Sequence, residues 1–166
     1  MIYRQAIVDD TEDVFEIFQK NLKNKEQLEW YKQLFFSTDS STLLMIDNDE
    51  VIGCAILTKA IHISDEELLI WYLGPLMFRN GFATDGLRKK FLRFIQRTSE
   101  FQSVDSLCSL GKIEDFPGWC LASDINLYSQ FTRQMESLFI IYNHSEKVAN
   151  QPGYILVPTK LFDLPK

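Results

Sequence analysis

The sequence predicts a mixed α/β (α+β) domain, with a mainly antiparallel central sheet and helices on both faces. Three observations carry this reading. Apolar residues recur at helical spacing in three separate stretches. Two extended runs flank the polar turn Asp47, Asn48, Asp49, Glu50 as a hairpin would. An extended run over residues 68–78, a helix and a second extended run over 104–110 follow one another, the order of a parallel pair joined by a crossover.

The elements follow in order. Residues 2–7 suit a short first strand, and Asp9, Asp10, Thr11 and Glu12 supply capping groups for a helix over 10–23, whose apolar stripe is Val14, Ile17, Phe18 and Leu22. A second helix over 25–36 carries Leu28, Trp30, Tyr31, Leu34 and Phe35. The hairpin strands are 43–46 and 51–57, and in 68–78 eight of eleven residues are aliphatic or aromatic. The helix over 82–98 sets Leu87, Phe91, Phe94 and Ile95 on one stripe and turns most of its basic residues to water. After a loop at 112–119, a helix over 124–135 and closing strands at 138–142 and 154–157 are expected.

Composition bounds the function. A chain of 166 residues is expected to form one domain over 1–166, with 46% hydrophobic and 24% charged residues as in ordinary globular proteins. No apolar run approaches the length of a membrane span and no signal peptide opens the chain, so a cytoplasmic protein is expected. The net charge of -6 excludes a general nucleic-acid binder. Cys54, Cys108 and Cys120 are too widely spaced for a disulfide framework or zinc ligands, and they read as buried thiols with no metal site. Yet Arg79, Arg88, Lys89, Lys90, Arg93 and Arg97 are six of the seventeen basic residues, and their local field suits a small anion.

The segment with most chemistry is the passage from the apolar strand through Arg79, Asn80, Gly81, Phe82, Ala83 and Thr84 into the helix. Small residues at 81 and 83 allow close approach, the first helical N–H groups are unpaired, and the positive end of the helix dipole points the same way: a physical site for phosphate. Thr84 adds a hydroxyl donor. The competing reading is a structural turn with Ala83 packed on the sheet. Neither the dinucleotide fingerprint nor the Walker A loop fits.

Gly81, Phe82, Ala83 after an apolar strand resembles the acetyl-CoA loop of the GNAT superfamily of N-acetyltransferases, written as Gln or Arg, x, x, Gly, x, Gly or Ala. The opening strand and two helices, the 51–58 strand with Gly53, and Leu127 with Tyr128 fall in the family's order. Phe78 stands where the family prefers Gln or Arg, and Arg79 comes one place late. The loop around Pro117, Gly118 and Trp119 and the stretch 136–139 also depart from the family's pattern.

The resemblance implies acetyl-CoA as cosubstrate, cradled by Leu76, Met77, Phe78 and residues 79–84, and a primary amine as acceptor on a small molecule, peptide or protein. It implies direct attack on the thioester, with a backbone N–H near Leu76 or Met77 facing the oxyanion. Tyr128 would sit in a short helix and protonate the leaving thiolate, or else be a core tyrosine. Asp65, Glu66, Glu67 and His62 are the base candidates, Glu67 being preferred; His62, alternating with Ile61 and Ile63, reads as a surface residue. The alternative is an inactive domain of the same fold that serves as a coenzyme A-binding or protein-interaction module. For an assembling chain a homodimer is the commonest form.

Overall fold

The computed structural model describes residues 1–65, 67–129, 138–142, 148 and 152–157. The first half runs β1 (Ile2–Gln5), α1 (Thr11–Asn21), α2 (Lys25–Phe35), β2 (Ser40–Asp47) and β3 (Glu50–His62). There follow β4 (Ile70–Leu73), β5 (Met77–Phe78), α3 (Asp85–Phe101), β6 (Ser106–Leu110), β7 (Cys120–Leu121), β8 (Leu127–Ser129), β9 (Phe139–Tyr142) and β10 (Gly153–Leu156). The backbone gathers into two units, one from Met1–Thr58 and Gly74–Ile95, the other from Lys59–Leu73 and the described residues from Gln96 onward. The fold is mixed α/β with mainly antiparallel pairing; β4 with β6, and β8 with β10, run parallel.

In the first unit β2 lies antiparallel between β1 and β3. The β2–β3 turn places Asn48 and Asp49 at φ 49° and 61°, the left-handed pair of a two-residue hairpin whose twist suits the strands it joins. Residues 43–46 and 51–58 are buried one after another, which requires cover on both sheet faces. The α3 helix supplies one cover through Phe91 and Phe94 against Tyr3, with ring centroids 6.3 and 4.7 Å away. Helices α1 and α2 pack together through Phe18 and Tyr31, 5.9 Å apart and edge-on. The α2 helix starts where the Asn24 carboxamide oxygen accepts the N–H groups of Glu26 and Gln27, at 2.9 and 3.2 Å.

Ser40 and Thr42 share one face of β2 with Thr58, which pairs with Ser40 across the hairpin. All three buried hydroxyls lack a hydrogen-bond partner among the described residues. A buried hydroxyl left without a partner costs its desolvation, so Thr42→Val, which keeps the β-branched shape, is expected to raise stability by about 1 kcal/mol in urea titration.

The second unit holds the parallel pair β4–β6, extended by β9 and β7, both antiparallel to their neighbours. There the end of β3 pairs with β10, which pairs in turn with β8. Three expectations are corrected. The strand expected over 68–78 is two strands, broken at Gly74, Pro75 and Leu76: proline donates nothing to a ladder, and the pairing with β6 ends at Leu73 while β5 pairs with β3.

The helix expected from 124 does not form over its first residues. A 3-10 turn over Ala122–Ile125 ends at Asn126, which adopts a left-handed conformation at φ 59°, and the chain leaves as β8. The rest of that stretch, 130–135, lies outside the described residues, as do Glu66 and residues 136–137.

His62 is buried rather than exposed. Its Nδ1 accepts the N–H groups of Ser64 and Asp65, both at 3.1 Å, so the turn that follows β3 satisfies the ring. Cys54 and Cys108 are buried and burial pushes both thiols up; Cys120 is half-buried and is raised first by burial, then by Asp124. Among the described residues no helix is long and apolar enough to cross a membrane.

Candidate functional site

The loop at 79–84 belongs to the first unit, and the residues that hold it there are distant in sequence. Arg79 donates from its backbone N–H to the Ile52 carbonyl at 2.9 Å, which extends the β5 ladder by one residue. Its guanidinium turns back toward the sheet and α1: Nε donates to the Val51 carbonyl at 2.6 Å, and the two terminal nitrogens reach Glu16 at 2.9 Å and Asp13 at 3.1 Å. Glu50 lies 3.5 Å from Nε. The Arg79 charge holds the Glu16 carboxyl below the usual range, first by attraction and then by the hydrogen bond. The side chain thus tethers the start of the loop.

Phe78 is buried, its ring edge-on to Phe91 at 6.1 Å, with the Arg88 guanidinium 5.4 Å above its centroid. The ring lies so close to the paired position that a Cβ on Gly53 would meet it at 3.0 Å. An aromatic residue thus replaces the expected polar one because it fills the core. The Phe78 carbonyl accepts Nδ2 of Asn21 at 3.0 Å, a link across 57 residues of sequence.

In an antiparallel pair, backbone groups alternate between the partner and the opposite edge. Arg79 bonds Ile52, so Met77 also faces β3, where it pairs with Cys54. The backbone groups of Phe78 are therefore directed away from β3, while Leu76 precedes the β5 ladder. Of the two residues expected to face an oxyanion, Met77 is the one paired with β3.

Beyond Arg79 the chain turns at Gly81, whose φ of 86° lies in the region that favours glycine, and a Cβ there would touch nothing within 4 Å. Phe82 donates to the Arg79 carbonyl at 3.1 Å and Thr84 to that of Phe82 at 2.9 Å. Thr84 caps α3: its carbonyl accepts Arg88 N–H at 3.0 Å and its hydroxyl oxygen accepts Leu87 N–H at 3.3 Å, leaving the hydroxyl proton to donate outward. The cap explains why α3 begins three residues later than the apolar pattern suggests. Asn80, Gly81, Ala83, Thr84, Asp85 and Gly86 are exposed. Among the described residues no protein acceptor receives the N–H groups of Gly81, Ala83, Asp85 or Gly86. These donors open a helix of 17 residues, long enough for its dipole to act at the first turn. The Asp85 carboxylate is the one acidic group in that turn.

Glu67 and Tyr128 lie in the second unit. Glu67 is exposed in the turn before β4, its N–H donating to Asp65 Oδ1 at 3.2 Å. Tyr128 stands half-buried on a strand, not in the expected short helix, with its ring 6.0 Å from that of Tyr154. Sequence reasoning missed the Asn21 link and the Arg79 tether, since no local pattern marks contacts over such separations.

No family model and no curated protein matches the sequence. Solved structures do. A GNAT family N-acetyltransferase (YhbS) of Escherichia coli, in complex with CoA, superposes with a TM-score of 0.79 at 18% identity, covering 96% of this chain and 90% of its own. A GNAT family acetyltransferase of Brucella melitensis, in complex with acetyl-CoA, gives 0.69 at 12% identity, covering 97% of both chains. An aminoglycoside 6'-N-acetyltransferase of Acinetobacter haemolyticus gives 0.52 at 15% identity over 66% of this chain and 78% of its own. With the strand, tethered loop and capped helix described above, these likenesses show that the chain has the GNAT N-acetyltransferase fold.

Proposed function

We propose that the protein is an acetyl-CoA-dependent N-acetyltransferase acting on a primary amine. The observation that supports it is the set of N–H groups of Gly81, Ala83, Asp85 and Gly86 at the start of α3, which no protein group among the described residues accepts, on a fold whose neighbours from Escherichia coli and Brucella melitensis were solved with CoA and acetyl-CoA. In this reading the pyrophosphate is held by backbone N–H groups and the Thr84 hydroxyl, with Arg79 setting the loop's position. The amine nitrogen attacks the thioester carbonyl carbon, and the Leu76 N–H receives the charge that develops on the oxygen. The C–S bond then breaks, and the thiolate leaves as coenzyme A. Glu67 and Tyr128, the residues the resemblance offers for taking the amine proton and for protonating the thiolate, lie in the second unit, and turnover by Glu67→Gln and Tyr128→Phe tests those roles.

Thermal unfolding in the presence of acetyl-CoA tests the reading. A ligand that binds only the folded chain stabilises it by about 2.7 kcal/mol at one hundred times its dissociation constant, and a midpoint that rises with acetyl-CoA concentration is expected. A midpoint unmoved by acetyl-CoA and by free CoA at millimolar concentration would leave the loop a structural turn. A second reading, a module that binds coenzyme A without turnover, is favoured by the exposure of Glu67, the base candidate, in the turn before β4. Release of free thiol from acetyl-CoA in the presence of any amine of a test panel removes it.

A further inference from the structure

Three strands of the second unit form a small sheet whose two faces contradict the polarity of their side chains. On one side of β10, Tyr154 pairs with Tyr128 of β8, Ile155 with Ser129 and Gly153 with Leu127. On the other, Ile155 pairs with His62 and Leu156 with Ile61, while Ile63 donates its N–H to the Tyr154 carbonyl at 2.9 Å. Paired residues share a face. One face is therefore His62, Ile155, Leu127 and Ser129, all buried. The other is Ile61, Ile63, Tyr154 and Leu156, exposed at 44%, 52%, 55% and 44%.

A sheet with one wet face normally turns its polar side chains to the water. Here the outward positions of β3 and β10 carry two isoleucines, a leucine and a tyrosine, while a histidine lies inside. These four side chains expose on the order of 400 Å², the size of patch that on monomers is often functional. The charges at its two ends narrow what covers it.

Lys59 is exposed and stands on β3 two residues before Ile61, so the alternation of the strand puts it on the same face. At the other end, beyond Ile63, the turn carries Asp65 and the exposed Glu67. Lys59 and Ile63 are separated by roughly 13 Å of strand, which is too long for the lysine to reach the acidic turn of its own chain. Among the described residues none of the three charged side chains forms an ion pair.

A strip that is basic at one end, apolar in the middle and acidic at the other complements itself. A two-fold axis lying in the interface and crossing the strands sets two β3 strands antiparallel, face to face. Each Lys59 then meets the acidic turn of the other copy, and the isoleucines of the two copies meet around the axis. The parallel alternative would set Lys59 against Lys59, which like charges disfavour.

We propose that this face joins two copies of the chain in that antiparallel arrangement. The apolar residues with Lys59 and the acidic turn supply less than the roughly 800 Å² that each partner gives to a standard interface, so a weak dimer is expected, with a dissociation constant on the order of 10 μM. The role it gives Glu67 is independent of acyltransfer.

Sedimentation of the full chain over a concentration series at low salt tests the proposal. Wild type is expected to pass from monomer to dimer as concentration rises. The double variant Ile61→Thr/Ile63→Thr keeps β-branched side chains and is expected to fold with an unchanged circular dichroism spectrum, yet to associate at least about 10-fold more weakly. Lys59→Glu alone and Glu67→Lys alone are each expected to weaken association at least about 5-fold, and the two together to restore most of it, since each charge again faces its opposite. A wild-type chain that stays monomeric up to about 300 μM overturns the proposal, as does a dimer indifferent to the isoleucine variant. Single charge variants that weaken the dimer without recovery in the double reversal overturn the antiparallel arrangement and with it the proposal.

Discussion

Gly81→Glu is expected to abolish stabilisation by acetyl-CoA while the protein still folds. The position is exposed and a side chain would meet no neighbouring atom, so the cost to the fold is only that of a left-handed conformation in a residue with a Cβ, about 1 kcal/mol. For a chain of 166 residues that amounts to a few degrees in the unfolding midpoint. The cost to the ligand is larger. A carboxylate placed among N–H groups that would otherwise face phosphate repels the phosphate and competes for those donors. Losing two hydrogen bonds to a charged group corresponds to at least about 100-fold in affinity. Gly81→Asn, which tolerates the left-handed region and carries no charge, is expected to keep most of the binding. The paired thermal-shift titrations separate the effects: a Glu variant that acetyl-CoA stabilises as well as wild type would show that the phosphate is held elsewhere.

Asp10→Asn is expected to cost about 2 kcal/mol of stability at neutral pH and progressively less in acid. Asp10 is buried, and its two oxygens accept from the Arg4 guanidinium at 2.7 and 2.9 Å while Oδ2 also accepts the Ile7 N–H at 2.8 Å. The Arg4 hydrogen bond, above all, holds the Asp10 carboxyl below its ordinary range, helped by the Ile7 N–H and the Arg4 charge, against the opposing effect of burial. A carboxyl whose folded value is depressed adds stability that is fully present above the unfolded value, about 4, and is lost as pH falls through the folded value below it. The amide keeps the shape and loses the charge, and Arg4, exposed at 41%, regains water. Urea titrations of both proteins at pH 7 and pH 3 should show the gap between them narrow at the lower pH. A gap that stays constant would assign the effect to packing rather than to the ion pair.

The sheet, the three helices and the β2–β3 hairpin were legible because each rests on a short-range pattern. The Val14, Ile17, Phe18 spacing closes an apolar stripe within two turns, and the turn at 47–50 puts two residues that tolerate positive φ where a tight hairpin needs them. The loop at 79–84 was legible for the same reason: glycine before a periodic helix is a local signal. Patterns of this kind misled where a local choice had two solutions. The alternation of Ile61, His62 and Ile63 states that one parity faces inward but not which, and the sequence preference for burying isoleucine was overruled by a turn that satisfies the imidazole. Around Asn126 a helical pattern competed with a residue that accepts the left-handed conformation, and the parallel partner β10 stabilises the extended path.

By itself, then, the sequence determined the first three helices, the β2–β3 hairpin, the mixed α/β class and the glycine turn that leads into α3, since these follow from periodicity, capping and backbone freedom within a few residues. Only the tertiary structure decided that Arg79 is a tether, that Phe78 is core, that Met77 pairs with β3, and that Tyr128 stands on a strand beside Tyr154. The physical reason is separation along the chain: Arg79 meets Asp13, and Asn21 meets the Phe78 carbonyl, across more than fifty residues, and partners that distant leave no local pattern in the sequence.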